Sequence, residues 1–310
     1  MNIPSVADYM FYFDTAYSST KKIVLSGKLT FGERKKLITI IKAKRFYESI
    51  YSQLSAIITH FPDTDKVSKF YQELMESAIS IDDYKKHLGA INWSRSMIKK
   101  LYYSFKKKDM PLMVFFGRSK DVLKQISKDL EFLKKARAHL AKFPSIKNLK
   151  TALLTGFPNV GKSSILTKIT DSKPEINSYP FTTKSINIGI MRMNNQKIQI
   201  VDTPGLLERP FEKINKIEMK AIIALKHLAD IILFVFDSSQ ASGYTMNDQK
   251  RLFEKIKELF PDKEMIVINN KCDLSRDESA DLNVSCKTLE GIDELKERIF
   301  KFFYPTFSSK

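Results

Sequence analysis

The stretch Gly156-Phe157-Pro158-Asn159-Val160-Gly161-Lys162-Ser163, with Ser164 after it, decides how the second half of this chain folds. It fits G-x-x-x-x-G-K-[ST], a loop whose glycines let the backbone turn tightly so that successive N–H groups point inward at phosphate oxygens. Lys162 is placed to reach the β- and γ-phosphates, and Ser163 to hold Mg²⁺. The flanks agree. The apolar run Ala152-Leu153-Leu154 reads as a strand entering the loop, and Ser163–Lys168 as the start of a helix leaving it. The N-terminus of that helix adds partial positive charge to an anion site.

Working outward, short β-type runs alternate with helical stretches after Phe143-Pro144. Strands are predicted at Lys150–Thr155, Ile186–Met193, Lys197–Val201, Ile231–Phe236 and Met265–Ile268, and helices at Ile217–Leu228, Met246–Phe260 and Ile292–Phe303. Such alternation predicts a mostly parallel sheet covered on both faces. The first half reads differently. Ile40, Ala43, Tyr47, Ile50, Leu54 and Ile57 form one apolar stripe at three- and four-residue spacing. Ile81, Tyr84, Leu88, Ile91, Ile98, Leu101 and Phe105 form a second, and Leu123, Ile126, Leu130, Leu133 and Leu140 a third. Each marks one face of an amphipathic helix, so an antiparallel helical bundle is predicted over residues 1–145 and an α/β nucleotide domain over 146–310.

A phosphate loop alone does not distinguish ATP from GTP. Asn270-Lys271-Cys272-Asp273 follows the strand Met265–Ile268, and a carboxylate at Asp273 can accept from the N1–H and exocyclic amine of guanine. Adenine lacks that donor pair and would leave the acid unpaired. Asn270 is expected to tether neighbouring loops and the stem of Lys271 to cover the base. Between the two motifs lies Asp202-Thr203-Pro204-Gly205, where Asp202 would approach Mg²⁺ and the Gly205 N–H would meet the γ-phosphate. Pro180-Phe181-Thr182-Thr183 falls where a switch loop supplies a hydroxyl to Mg²⁺, and Thr182 is the expected ligand. Ser285-Cys286-Lys287 fits a loop whose backbone contacts the guanine oxygen.

This order of motifs resembles that of the Ras-like P-loop GTPases. The wording of three segments resembles the Obg-related branch, and most of all its nucleolar GTP-binding protein (Nog) family: Gly156–Ser163, Tyr179-Pro-Phe-Thr-Thr-Lys184, and Asp202-Thr-Pro-Gly-Leu-Leu-Glu-Arg-Pro210. Leu88–Arg95 and Lys99–Ser104 are similar to that family's N-terminal domain. The resemblance implies GTP and GDP as ligands, Mg²⁺ as cofactor, and a role in maturing the large ribosomal subunit. The chain stops at Lys310, without the long C-terminal extensions of eukaryotic members, as a compact archaeal-type member would. Leu206 stands where many small GTPases carry the glutamine that orients the attacking water, so slow intrinsic hydrolysis is expected. Related GTPases with an asparagine in the place of Asn159 ligate K⁺ through it, which marks Asn159, with Lys162, Thr182 and Gly205, as catalytic candidates. Stimulation by K⁺ or by the ribosome is expected; Arg209 acting in cis is the competing idea.

Charge separates the halves again. The formal net charge is +17; residues 1–150 hold 29 Lys and Arg against 14 Asp and Glu, and the remainder 23 against 21. An excess confined to one half points to a polyanionic partner there. Arg95, Lys99, Lys100, Lys106, Lys107 and Lys108 form the densest cluster, interleaved with Tyr102, Tyr103 and Phe105, which is the chemistry of structured RNA binding. The expected partner is rRNA of the large subunit or its precursor, with the chain monomeric off the ribosome. A protein effector or an acidic membrane surface is the alternative. Trp93, the single tryptophan, is expected in the core, and the four histidines at surface or packing positions. Two cysteines, Cys272 and Cys286, are too few for a disulfide framework. No run approaches the roughly 18 apolar residues of a membrane span, no secretory signal is visible from Met1 to Asp14, and a cytoplasmic location is expected.

Overall fold

The computed structural model describes residues 3–21, 23, 30–107, 110–171, 173–179, 185–207 and 216–306. They form two compact units, one of residues 1–67 with 78–141 and one of residues 68–77 with 142–310. No helix among the described residues is long and apolar enough to cross a membrane.

The first unit is helical: α1 (Tyr9–Ser18), α2 (Phe31–His60), α4 (Ile81–Lys106), α5 (Leu112–Gln125) and α6 (Ser127–Leu140), while α3 (Lys69–Ile79) falls mostly in the second unit. Thr30 and Glu33 make a reciprocal capping box that starts α2, the Ser80 hydroxyl caps α4, and Pro111 precedes α5. The buried line of α2 runs Ala43, Phe46, Ile50, Leu54 and Ile57. Phe46 is therefore the inward aromatic where periodicity favours Tyr47, and Ile40 is exposed. The reason is aromatic packing: Phe46 lies against Phe116 at 4.4 Å, with Phe13 and Phe115 both at 5.6 Å between ring centroids. The third predicted stripe is two helices, because the chain breaks at Ile126 (φ −90°, ψ 13°) while keeping its apolar face inward.

The second unit is built on a seven-stranded sheet: β1 (Lys150–Thr155), β2 (Glu175–Ser178), β3 (Ser185–Met193), β4 (Gln196–Asp202), β5 (Ile231–Phe236), β6 (Glu264–Asn270) and β7 (Leu282–Val284), in the order β2-β3-β4-β1-β5-β6-β7. The pairs from β4 through β7 are parallel, and β2-β3-β4 are antiparallel. With α7 (Lys162–Ile169), α8 (Lys216–Leu228), α9 (Met246–Leu259) and α10 (Ile292–Phe303), this is the expected helical unit followed by a mostly parallel α/β fold. In β5, all six residues of Ile-Ile-Leu-Phe-Val-Phe are buried, as a strand covered on both faces requires. One face of the sheet carries Ala152, Leu154, Ile231, Leu233, Ile266 and Ile268 under α7 and α10. On the other, Phe234 and Phe236 pack against Phe253 of α9.

Four elements are not among those predicted from the sequence: α1, α3, β2 and β7. The connection between β6 and β7 also departs from expectation, because a parallel crossover usually contains a helix and residues 271–281 do not. Two asparagines replace it. Asn269, fully buried, donates to the Ser275 carbonyl (3.0 Å) and to Asn283 Oδ1 (2.8 Å), and Asn283 in turn donates to the Asp277 carbonyl (2.9 Å).

Candidate functional site

The C-terminal ends of the parallel strands face one edge of the sheet, and the loops leaving β1, β4, β5, β6 and β7 gather there, where open α/β sheets bind their ligands. Between β1 and α7 the phosphate-loop residues take the conformations their types allow. Gly156 (φ +139°) has no room for a side chain: a Cβ would lie 2.4 Å from the Val235 carbonyl oxygen. At Gly161 (φ +101°) a Cβ would lie 2.0 Å from Asn270 Nδ2. Asn159 holds a left-handed φ of +64° with its side chain exposed. Pro158 is half-buried, Val160 sits in the core, and Ser164 is exposed on the first turn of α7. Lys162 is 5% exposed, and its ammonium donates to the carbonyls of Gly156 (3.0 Å) and Phe157 (2.6 Å). Phe157 stacks on Tyr244 at 4.3 Å.

Next to the lysine in the chain, the Ser163 hydroxyl donates to Asp202 Oδ2 at 2.7 Å. Asn187, which β3 places directly across from Asp202, donates to the same oxygen at 3.2 Å. The other carboxylate oxygen, Asp202 Oδ1, is buried with no hydrogen-bond partner among the described residues. A buried anionic oxygen with nothing to accept from is costly, and a hard cation beside Ser163 would satisfy it. These donors fit Mg²⁺. Asn187 is not legible from sequence, because an asparagine inside a strand carries no motif. Gly205 adopts φ +69° in the turn that follows, and Leu206 is 3% exposed, packed away from solvent. Thr182 and its neighbours Pro180–Lys184, Arg209, and Lys108 of the basic cluster lie outside the described residues.

The base-side motif is tied to the phosphate loop directly: Asn270 Nδ2 donates to the Val160 carbonyl at 2.8 Å. Asp273 is exposed, and its Oδ1 accepts from the Ser285 hydroxyl at 2.6 Å. Ser285 is itself fully buried and its Oγ also accepts from the N–H groups of Lys287 (3.3 Å) and Thr288 (3.2 Å). Thus the weak three-residue signal Ser285-Cys286-Lys287 does stand beside Asp273. Burial pushes the Cys286 thiol up to about 11, and Cys272 is raised by burial and by Glu290. The loop after β5 carries no signal in the sequence. Asp237 there is fully buried and pairs with the Lys271 ammonium at 2.7 Å.

On the helical unit, α4 presents Lys99, Lys100 and Lys106 to solvent along with Tyr103 (50% exposed), and Lys107, which caps the helix, is exposed too. Trp93 is 44% exposed on the same helix, not in the core as expected, because the inward line runs Tyr84, Ile91, Ser94 and Ile98. Arg95 is half-buried and committed within the unit, donating to Asn92 Oδ1 (2.7 Å) and Ser55 Oγ (3.3 Å) and lying over the Tyr51 ring. Tyr102 stacks on Tyr47 at 4.3 Å, with the Lys106 ammonium 6.0 Å from its centroid.

Comparison with known proteins gives both halves one kinship. The family model of the NOG1 N-terminal helical domain matches residues 2–147, and that of nucleolar GTP-binding protein 1 matches residues 216–273. An uncharacterized protein of Methanocaldococcus jannaschii is 40% identical over 247 residues, covering 76% of this chain and 69% of its own length. Nucleolar GTP-binding protein 1 of Saccharomyces cerevisiae is 33% identical over 310 residues, 95% of this chain. The chain belongs to the nucleolar GTP-binding protein family. The Arabidopsis thaliana member is 38% identical over 271 residues, 84% of this chain. The chain spans 40% of the plant protein's length and 47% of the yeast protein's, so it corresponds to less than half of either relative.

Proposed function

We propose that this protein binds GTP and GDP, hydrolyses GTP as a slow switch, and docks on rRNA of the large ribosomal subunit or its precursor through its helical unit, residues 1–67 with 78–141, with the sheet unit as the switch. The observation that carries the nucleotide half is the bond from Asn270 to the Val160 carbonyl. It ties the base motif to the phosphate loop, which supports reading them as one site for a single nucleotide. Phosphate oxygens in the loop would take over the Lys162 ammonium from the Gly156 and Phe157 carbonyls. Asp273, aligned by Ser285, would accept from the guanine edge. Ser163 and Asp202, with Thr182, would hold Mg²⁺, which would supply charge neutralisation at the phosphates. The Leu206 side chain can neither donate nor accept a hydrogen bond, so water must be positioned by another group, and we assign to K⁺ held by Asn159 the positive charge that an arginine finger would bring.

For the docking half, α4 matters most. Its 26 residues make a rod about 39 Å long, and no acidic residue occurs from Lys86 to Lys107. Exposed lysines for phosphates and exposed Trp93 and Tyr103 for unstacked bases suit folded RNA better than an apolar protein groove. Sucrose-gradient sedimentation at low salt tests the reading. The chain is expected to co-migrate with large-subunit particles, and replacing Lys99, Lys106 and Lys107 with Glu should release it while leaving GDP affinity intact. The log–log salt slope of RNA binding should flatten by about 0.7–0.9 for each phosphate that is no longer neutralised. Failure to co-migrate in any nucleotide state would sink the ribosomal reading in favour of a protein or membrane partner.

A further inference from the structure

Asp237 follows directly on β5, and its carboxylate is fully buried. Burial pushes its pKa up, but the bonds from Lys271 and Ser239 hold it below the usual carboxylate range. Its partners here are all donors. Oδ1 accepts from the Ser239 N–H (3.1 Å) and the Ser239 hydroxyl; Oδ2 accepts from the Ser242 N–H (2.8 Å) and the Lys271 ammonium (2.7 Å). The backbone beneath it is equally fixed. Gln249, on the first turn of α9, accepts from the Asp237 N–H (2.8 Å) and donates to the carbonyls of Asp237 (3.0 Å) and Tyr244 (3.1 Å). The carboxylate therefore occupies a fixed point, and a mobile partner must come to it.

Lys271 is that partner. It holds a left-handed φ of +61°, so its Cα direction is set by the loop, and its ammonium is set by Asp237. With both ends fixed, the methylene stem between them becomes a rigid ledge, where a free lysine would sample many rotamers. The loop after β5 that carries Asp237 runs on to Tyr244, stacked on Phe157 of the phosphate loop, so residues 237–244 brace the site at both ends.

We propose that Asp237 is a positioning residue for the nucleotide base, holding Lys271 so that its stem lies ready along the base plane. This rests on the guanine-nucleotide reading above. It differs from the role of Asp273, because a ledge against the face of a base does not distinguish one purine edge from another.

Isothermal titration of the full chain with GDP and with inosine diphosphate separates the possibilities. Asp237→Asn should weaken both nucleotides by the same factor, about tenfold, since one charge-assisted bond is removed, with the fraction of binding-competent protein unchanged. In a Lys271→Met background the same substitution should cost nothing further. That double variant also removes the buried charge pair together, so it folds even where Asp237→Asn alone leaves the ammonium stranded. Additive losses would mean that Asp237 acts without Lys271, and unequal losses for GDP and inosine diphosphate would mean that it acts through Asp273; either overturns the inference, as does unchanged affinity. If the unaltered chain bound neither nucleotide, the guanine-nucleotide reading itself would fall, and this inference with it.

Discussion

The two units of the molecule deploy their polar residues in opposite ways. Among the described residues, twelve buried polar or charged side chains lie in the sheet unit, including Lys162, Asp202 and Asp237, against four in the helical unit, all of them hydroxyls. Burying an ion is unfavourable unless it is paired and hydrogen-bonded. The sheet unit offsets that penalty at Asp237 with dedicated partners, the Lys271 ammonium and the N–H groups of Ser239 and Ser242, and at one oxygen of Asp202 with Ser163 and Asn187. The helical unit keeps most of its cations at the surface, where a partner adds little, with Arg95 a half-buried exception. On the proposed reading, one unit would suit a small ligand of fixed shape and the other a large polyanion. Specific geometry and diffuse charge are different solutions, and they should fail differently when mutated.

The largest expected effect lies at the base edge. Asp273→Asn keeps an acceptor for the Ser285 hydroxyl but turns the second carboxylate oxygen into a donor facing the donors of guanine. GDP affinity should fall on the order of 10⁴-fold, the scale on which a site built for hydrogen bonds rejects a mismatched ligand. Xanthosine diphosphate, which carries a carbonyl where guanine carries its amine, should become the better ligand in competition titrations. Sedimentation with large-subunit particles in the absence of nucleotide should not change. A variant that kept its GDP preference would remove Asp273 from the base site and blur the contrast between the two units.

What the sequence announces follows the same division. The phosphate loop, the D-x-x-G turn and the base motif are legible because each needs particular residue types at fixed spacing, as the collisions of a Cβ at Gly156 and Gly161 make clear. Their supports are not legible. Asn187, Asp237, Gln249 and Asn269 act through partners up to 34 residues away or across a strand pair, and no local pattern announces them. The same holds for Trp93: an aromatic at helical spacing reads as core until the neighbouring helices show which side is covered. Arg95 belongs to the basic cluster by sequence, yet it is anchored to Ser55 on another helix.

A middle-sized effect is expected at the γ-phosphate end, where the sheet unit departs from its own habit. Leu206 puts a buried apolar side chain where the contrast would call for a committed polar one. If K⁺ at Asn159 supplies the missing charge, single-turnover GTP hydrolysis should be faster in KCl than in NaCl at matched ionic strength. The expected ratio is on the order of tenfold to a hundredfold, somewhat below what one preorganised donor to a developing negative charge supplies. Asn159→Ala should abolish the difference while leaving GDP affinity nearly unchanged. Equal rates in the two salts would return the problem to Arg209 or to a group supplied by the ribosome.

The smallest effect tests whether the helical unit has any aimed contact at all. Gly89 lies within α4, and a Cβ there would meet nothing within 4 Å. Glycine inside a helix costs about 0.5–1 kcal/mol relative to alanine, so it destabilises α4 without an internal reason. Gly89→Ala should therefore raise the stability of the helical unit by that amount in urea unfolding. Trp93 makes the measurement unit-specific, because it is the single tryptophan and sits four residues along the same helix. If the bare backbone at Gly89 lets an RNA strand approach closely between Lys86 and Trp93, the stabilised variant should bind large-subunit particles less tightly than the unaltered chain. Gly117→Ala on α5, where a Cβ also meets open space, supplies the control: it should stabilise without weakening docking. Stabilisation at both positions with docking untouched would leave α4 a purely diffuse electrostatic surface, and the contrast between the two units would then be complete.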